Sequence, residues 1–134
     1  MLIISVSEGL ETIVGRLGRI YFRKGNYIYI GSAKGCLDTR LRRHLIKDKK
    51  TYWHIDYFLK KERTEISQIW MILKSIECEI ANIFNRNTFT EMVKKGFGSS
   101  DCKCSTHLFY INDKEKIEEV LKEKGFSRRM YLET

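Results

Sequence analysis

Apolar positions in this chain alternate, recur or run together, and each pattern predicts an element. LIISV (2–6) is almost continuously apolar and predicts a buried strand. TIVG (12–15) predicts a short partner strand, with SEG (7–9) turning a hairpin between the two. GRIYF and GNYIYIG then form two aromatic, β-branched runs around Lys24-Gly25. Side chains alternate along a strand, so Tyr27 and Tyr29 fall on one face and Ile28 and Ile30 on the other. Leu37, Leu41 and Leu45 recur every four residues and predict an amphipathic helix over about residues 38–47, with Arg40, His44 and Lys47 on a separate stripe. YWHIDYFLKK (52–61) predicts a second, shorter helix. EISQIWMIL (65–73) is apolar enough for a central strand. SIECEIANIF (75–84) has helical spacing, GFGSSDC (96–102) predicts a loop, and HLFYI (107–111) predicts a strand. The last helix starts at Asn112, read as the N-cap with Glu115 three residues on. It presents Ile117, Val120 and Leu121, and stops at Gly125. The pattern predicts one α/β (α+β) domain over residues 1–134: a small mixed or antiparallel central sheet flanked by helices. Residues 112–134 form a C-terminal helix and tail.

Composition sharpens this picture. A chain of 134 residues with 43% hydrophobic side chains is ordinary for one folded core. There is no proline, no Gly/Ser-rich linker and no internal repeat. MLIISVSEGLET has no basic leader, and no apolar run approaches the roughly 20 residues of a membrane helix. The expectation is a soluble, cytoplasmic protein with no membrane partner. Net charge is +8, and residues 34–63 carry ten Lys/Arg against four acids, a local +6. Such a cluster attracts a polyanion in a salt-dependent way. DNA, or RNA, is the expected partner, with Lys34, Arg42, Arg43, Lys47, Lys49 and Lys50 as phosphate contacts. In a bland reading the same residues form a solvated basic surface.

The segment GNYIYIGSAKGCLDTRLRRHL concentrates the candidate chemistry. Tyr29 precedes a Gly/Ser/Ala turn that allows close backbone approach. Arg40 follows near the start of the predicted helix, where a planar guanidinium can hold two phosphate oxygens. His44 lies one turn on, with a pKa suited to proton transfer near neutrality. His54 is a second candidate histidine. Cysteines occur at 36, 78, 102 and 104. Cys102, Cys104 and His107 have ligand chemistry, and Cys78 can complete a tetrahedral set for structural zinc, although CxCxxH is not a common zinc spacing. Reduced free thiols are the commoner outcome for such residues. No P-loop and no Ser/His/Asp triad is present.

YIYIGSAKG followed by LDTRLRRHL resembles the second half of the GIY-YIG nuclease signature. Members of that superfamily include intron-homing endonucleases and the incision nuclease of nucleotide-excision repair. Tyr29-Ile30-Gly31 matches the YIG element, Arg40 falls at the catalytic arginine, and His44 falls where several members have a histidine. VGRLGRIYFRKGNYIYIGSA, RHL, YWHIDYFL, ECEIA and GFGSSDCKCSTHL further resemble an uncharacterised prokaryotic, mainly archaeal branch, sometimes fused to endonuclease-III-type DNA glycosylases. That likeness covers roughly residues 2 to 112. It implies a GIY-YIG-like fold, hydrolysis of DNA phosphodiester bonds in repair or processing, and a DNA-repair glycosylase as a partner. It also implies one Mg²⁺ or Mn²⁺ held by a single glutamate, best matched by Glu77 with Glu79 as the alternative. The superfamily's first tyrosine would fall at or just before Met1. An upstream start, Tyr21 as a substitute (with Tyr27 the less favoured stand-in), or a fold that binds without cutting each accommodate this. A domain organised around Cys102, Cys104 and His107 as a metal staple is the third reading.

Overall fold

The computed structural model describes residues 1–31, 54–72, 76–99 and 102–129. The predicted helix over 38–47 lies outside these residues, as do Lys34, Cys36, Arg40, Arg42, Arg43, His44, Lys47, Lys49 and Lys50. The elements are β1 (Leu2–Val6), β2 (Leu10–Ile13), a 3-10 turn (Gly15–Leu17), β3 (Arg19–Phe22), β4 (Gly25–Tyr29), α1 (His54–Leu59), β5 (Thr64–Met71), α2 (Glu77–Asn85), β6 (Thr90–Met92), β7 (Leu108–Ile111), α3 (Lys114–Glu123) and β8 (Ser127–Arg129).

Six strands form one antiparallel sheet in the order β6-β7-β4-β1-β5-β8. The α+β class with helices flanking this sheet agrees with the sequence pattern. The expected hairpin between the first two strands does not form. β1 pairs with β4 and β5, while β2 pairs with β3 as a separate two-stranded ribbon. An alternating pattern identifies a strand but not its partner, and β1, buried between two neighbours, satisfies both of its edges.

The pleat divides the core in two. Leu2, Ile4, Val6, Tyr27, Tyr29 and Leu108 face one side, where they meet Ile55, Phe58 and Leu59 of α1 and Leu10, Ile20 and Phe22 of the ribbon. Ile3, Ile28, Ile30, Phe109 and Ile111 face the other, against Ile80, Ala81 and Phe84 of α2 and Ile117 and Leu121 of α3. β5 explains its own apolar run. Ile3 pairs with Gln68 and Ile4 with Ile66, so Ser67 is an extra residue, a bulge. Its hydroxyl donates to the Ile3 carbonyl at 3.1 Å. The bulge lets Ile66 and Ile69, three apart, join the same cluster, whereas Trp70 faces the other.

The start of α3 is one residue later than the sequence suggests. Asp113 is the N-cap, its carboxylate accepting from the Lys116 amide at 3.3 Å. The Asn112 side chain instead donates to the Thr88 carbonyl at 3.1 Å, joining the strand end to the segment before β6. Gly125, at φ +94°, ends the helix as expected. The expected tail contains β8, which pairs with β5 at the sheet edge.

Phe58 stacks on Phe22 at 4.2 Å between ring centroids and meets Tyr27 edge-on at 5.4 Å. Phe58→Ala is expected to destabilise the fold by about 3–5 kcal/mol. Asp113→Ala should cost about 1 kcal/mol through loss of the cap. Urea denaturation measures both, and equal losses would mean that the aromatic cluster is not the main tie between α1 and the sheet.

Candidate functional site

Leu2, Tyr29 and Leu108 lie side by side across β1, β4 and β7. At this end of the sheet the ladder continues one step, as Ile30 N–H donates to the His107 carbonyl at 2.8 Å. The chain between β6 and β7 folds back over the same end. Gly96 N–H donates to Ser105 O at 2.6 Å and His107 N–H to Phe97 O at 2.8 Å. Phe97 is fully buried, its ring centroid 6.5 Å from Tyr29 and 5.6 Å from His54.

Gly98 is the more crowded of the two glycines Gly96 and Gly98. Its φ of +69° suits glycine, and a Cβ there would stand 2.9 Å from Cε1 of Tyr29 and 3.3 Å from the His107 Cβ. Its N–H donates to His54 Nδ1 at 2.9 Å. Nδ1 is therefore the acceptor, and the neutral ring carries its proton on Nε2. Burial lowers the His54 pKa, against an upward pull from the Gly96 backbone. Tyr29 from β4 and His54 from α1 thus share one wall, built by Phe97 and Gly98.

A second cluster lies beside the first. Cys78 sits in the first turn of α2, Cys102 and Cys104 in the loop, and His107 immediately before β7. Their ligand atoms all lie within 4.8 Å of one another. Cys102 Sγ is 3.4 Å from His107 Nε2. Around a tetrahedral ion with about 2.3 Å metal–sulfur bonds, sulfurs stand about 3.8 Å apart, so the set needs little adjustment to close on one. Burial pushes the Cys104 thiol up to about 12, reinforced by hydrogen bonding to Cys78 and Cys102 and by their charge. A divalent cation beside the Cys104 sulfur would act in the opposite sense and favour its thiolate. Burial also holds His107 below its ordinary pKa, with the Ile30 backbone and the Glu77 carboxylate pulling upward. Neutral imidazole is the form that binds metals. This Cys3His cluster could hold a metal ion. Cys78, Cys102 and Cys104 are in no disulfide.

The other anticipated residues are placed as follows. Glu77 opens α2 next to Cys78, and its charge is felt by His107. Glu79 is drawn to Lys124 at 3.7 Å. Tyr21 is 63% exposed on β3, and its phenol lies over Gly9. Gly9 lies beyond the Val6 end of β1, where β1 pairs with Gly25, so Tyr21 is at the opposite end of β4 from Tyr29. The Tyr27 hydroxyl donates to the Arg23 carbonyl at 2.6 Å, and burial raises its pKa. The structure brings together Tyr29 and His54, and separately Cys78, Cys102, Cys104 and His107. Gly98 was not singled out from the sequence; its only signal is the second glycine of GFG in GFGSSDC.

The sequence model of one family, described as "Domain of unknown function DUF123", matches residues 1–129. The chain belongs to the DUF123 family. No curated protein and no solved structure matches it. Among the described residues of this DUF123 chain, no helix is long and apolar enough to cross a membrane.

The lowered pKa of His54 predicts that this DUF123 chain loses stability in acid. A His54 pKa below the unfolded value of about 6.5 means that the unfolded chain takes up the proton first as pH falls. Its contribution to stability is complete above about pH 6.5 and is lost as pH falls below that value. His54→Asn keeps an acceptor for the Gly98 amide but does not titrate. Urea midpoints at about pH 7.5 and pH 5.5 should therefore differ less in the variant than in the natural chain. An equally steep loss in both would remove His54 from this role.

Proposed function

We propose that this chain is a metal-dependent endonuclease that hydrolyses phosphodiester bonds in DNA, in repair or processing, and that its Cys3His cluster holds a separate, structural Zn²⁺. The observation that carries the nuclease reading is the meeting of Tyr29 and His54 on the Phe97–Gly98 wall, at the end of β4 that leads into the basic segment 34–63. The likeness of YIYIGSAKG and LDTRLRRHL to a nuclease signature supports the same reading.

In this proposal Arg40 grips the scissile phosphate through paired N–H donors, while Lys34, Arg42, Arg43, Lys47, Lys49 and Lys50 hold the flanking backbone. Tyr29 orients the attacking water. His44 assists proton transfer, and His54, anchored through Nδ1, offers Nε2–H as a donor at the same wall. Glu77 fits a hard divalent ion: it is a half-buried carboxylate, whereas Glu79 is drawn to Lys124. It would hold Mg²⁺ or Mn²⁺, which supplies neutralisation of charge developing on the phosphate. The Cys3His donor set is soft and suits Zn²⁺. Four protein ligands leave a tetrahedral ion no open position, which marks that site as structural. The DNA-repair glycosylase partner belongs to this proposal too.

One observation favours a second reading, a nucleic-acid-binding module without cleavage. Tyr21 sits at the far end of β4 and does not supply a second tyrosine beside Tyr29.

A nicking assay on supercoiled plasmid and branched oligonucleotides with Mg²⁺, Mn²⁺ or EDTA separates the two. The nuclease reading expects metal-dependent cutting that falls by about 10²–10⁴-fold in Tyr29→Phe, with salt-sensitive binding retained. Arg40→Ala and Glu77→Ala should lose cutting as well. Binding without cutting on every substrate would leave the docking module. For the cluster, metal analysis of purified protein should find about one zinc per chain, lost in Cys102→Ser.

A further inference from the structure

We infer that the Cys78–Cys102–Cys104–His107 metal centre is a positioning device: the ion it binds fixes the Gly98 peptide, and Gly98 in turn sets the tautomer of His54 and the seat of the Tyr29 ring. The inference rests on the zinc reading above and extends it from a staple to a control on the neighbouring wall.

The loop between β6 and β7 is tied at its base by two cross-loop backbone bonds, Gly96 to Ser105 and His107 to Phe97. Towards its tip the described backbone bonds are local turns, Ser99 N–H to Gly96 O at 3.4 Å and Cys102 N–H to Ser99 O at 3.3 Å. Local turn bonds hold a loop weakly. Cys102 and Cys104 belong to this stretch, and the other two ligands belong to α2 and to the start of β7. One ion joining all four therefore fastens the loop to two regular elements.

Gly98 itself is closely surrounded. Gly98 lies where a single added carbon would stand 2.9 Å from the Tyr29 ring and 3.3 Å from the His107 Cβ. His107 is itself one of the four candidate ligands, so Gly98 packs against a residue the ion would hold. A shift of the Gly98 peptide therefore alters its packing beside Tyr29 or lengthens the 2.9 Å bond to His54 Nδ1. Without that bond nothing from Gly98 requires Nδ1 to be the acceptor, and the Gly96 backbone remains as the other contact acting on the ring.

The test strips zinc from the full chain with a chelator, restores it, and follows His54 by side-chain ¹⁵N–¹H correlation and Gly98 by amide exchange. With zinc, His54 should show the Nε2–H tautomer, and the Gly98 amide should exchange at least about tenfold more slowly than in stripped protein. Re-addition of zinc, but not of Mg²⁺, should restore both. Zinc bound and then removed with no change at His54 or Gly98 would overturn the coupling and leave the zinc site standing. Failure to bind zinc at all would overturn both. If stripped protein unfolds, as circular dichroism would reveal, Gly98→Ala decides the matter with all four ligands intact. It should keep about one zinc per chain and lose the His54 tautomer signature; an unchanged signature overturns the inference.

Discussion

His107 is held on three sides, and the candidate site depends on that. Its carbonyl accepts from Ile30, continuing the β4–β7 ladder, and its amide donates to Phe97, closing the loop. Its ring faces Cys102. Each backbone bond is worth only about 1 kcal/mol net, so their importance is geometric. They fix one residue against a strand, a loop and a thiol cluster together. Gly98 can approach Tyr29 because the loop is pinned at this point, and His54 receives its hydrogen bond for the same reason.

The placement of chemistry at a sheet end follows from how the core is built. Both faces of the six-stranded sheet are covered, one by α1 and the β2–β3 ribbon and the other by α2 and α3. A face packed on both sides has no room for a polar ligand. The strand ends are different, because there the pairing stops and loops bring polar groups without burying them unpaired. β4 passes through the middle of this architecture. Its Tyr27 is enclosed by Phe22, Phe58 and Tyr110, while Tyr29, two residues on, reaches the end where Gly98 and His54 stand.

Much of the fold was legible because burial imposes periodicity. The split of Tyr27 and Tyr29 from Ile28 and Ile30 is the strand pleat itself, and the α3 face of Ile117, Val120 and Leu121 is the helical repeat. What periodicity does not encode is pairing, so the ribbon partner of β2 was misread. Nor does it encode three-residue edges such as β6 and β8, which are too short to show an alternation. The cap at Asp113 in place of Asn112 is a choice between two adjacent, chemically similar residues, decided by a contact from Asn112 to Thr88 that no local pattern contains. The metal cluster was legible only as an inventory. Cys102, Cys104 and His107 are near in sequence, but Cys78 joins them only because α2 brings its first turn to this end of the sheet. Gly98 was less legible still, since a glycine's role here is set by what surrounds the missing side chain.

The chemistry of the donors separates two tasks that a single metal would confuse. Three thiols and an imidazole favour a soft ion and, once they surround it, leave no position for water or phosphate. A lone carboxylate such as Glu77 favours a hard ion that keeps most of its own waters. The wall that Tyr29 and His54 share is built by Phe97 and Gly98 and contains none of the three thiols. The cluster still bears on that wall, because the loop that supplies two of its ligands also supplies the Gly98 amide. Among the described residues, backbone bonds tie this loop at its base and in local turns. An ion held by residues from α2, the loop and the start of β7 would do so with four side chains, and Glu77 is not one of them.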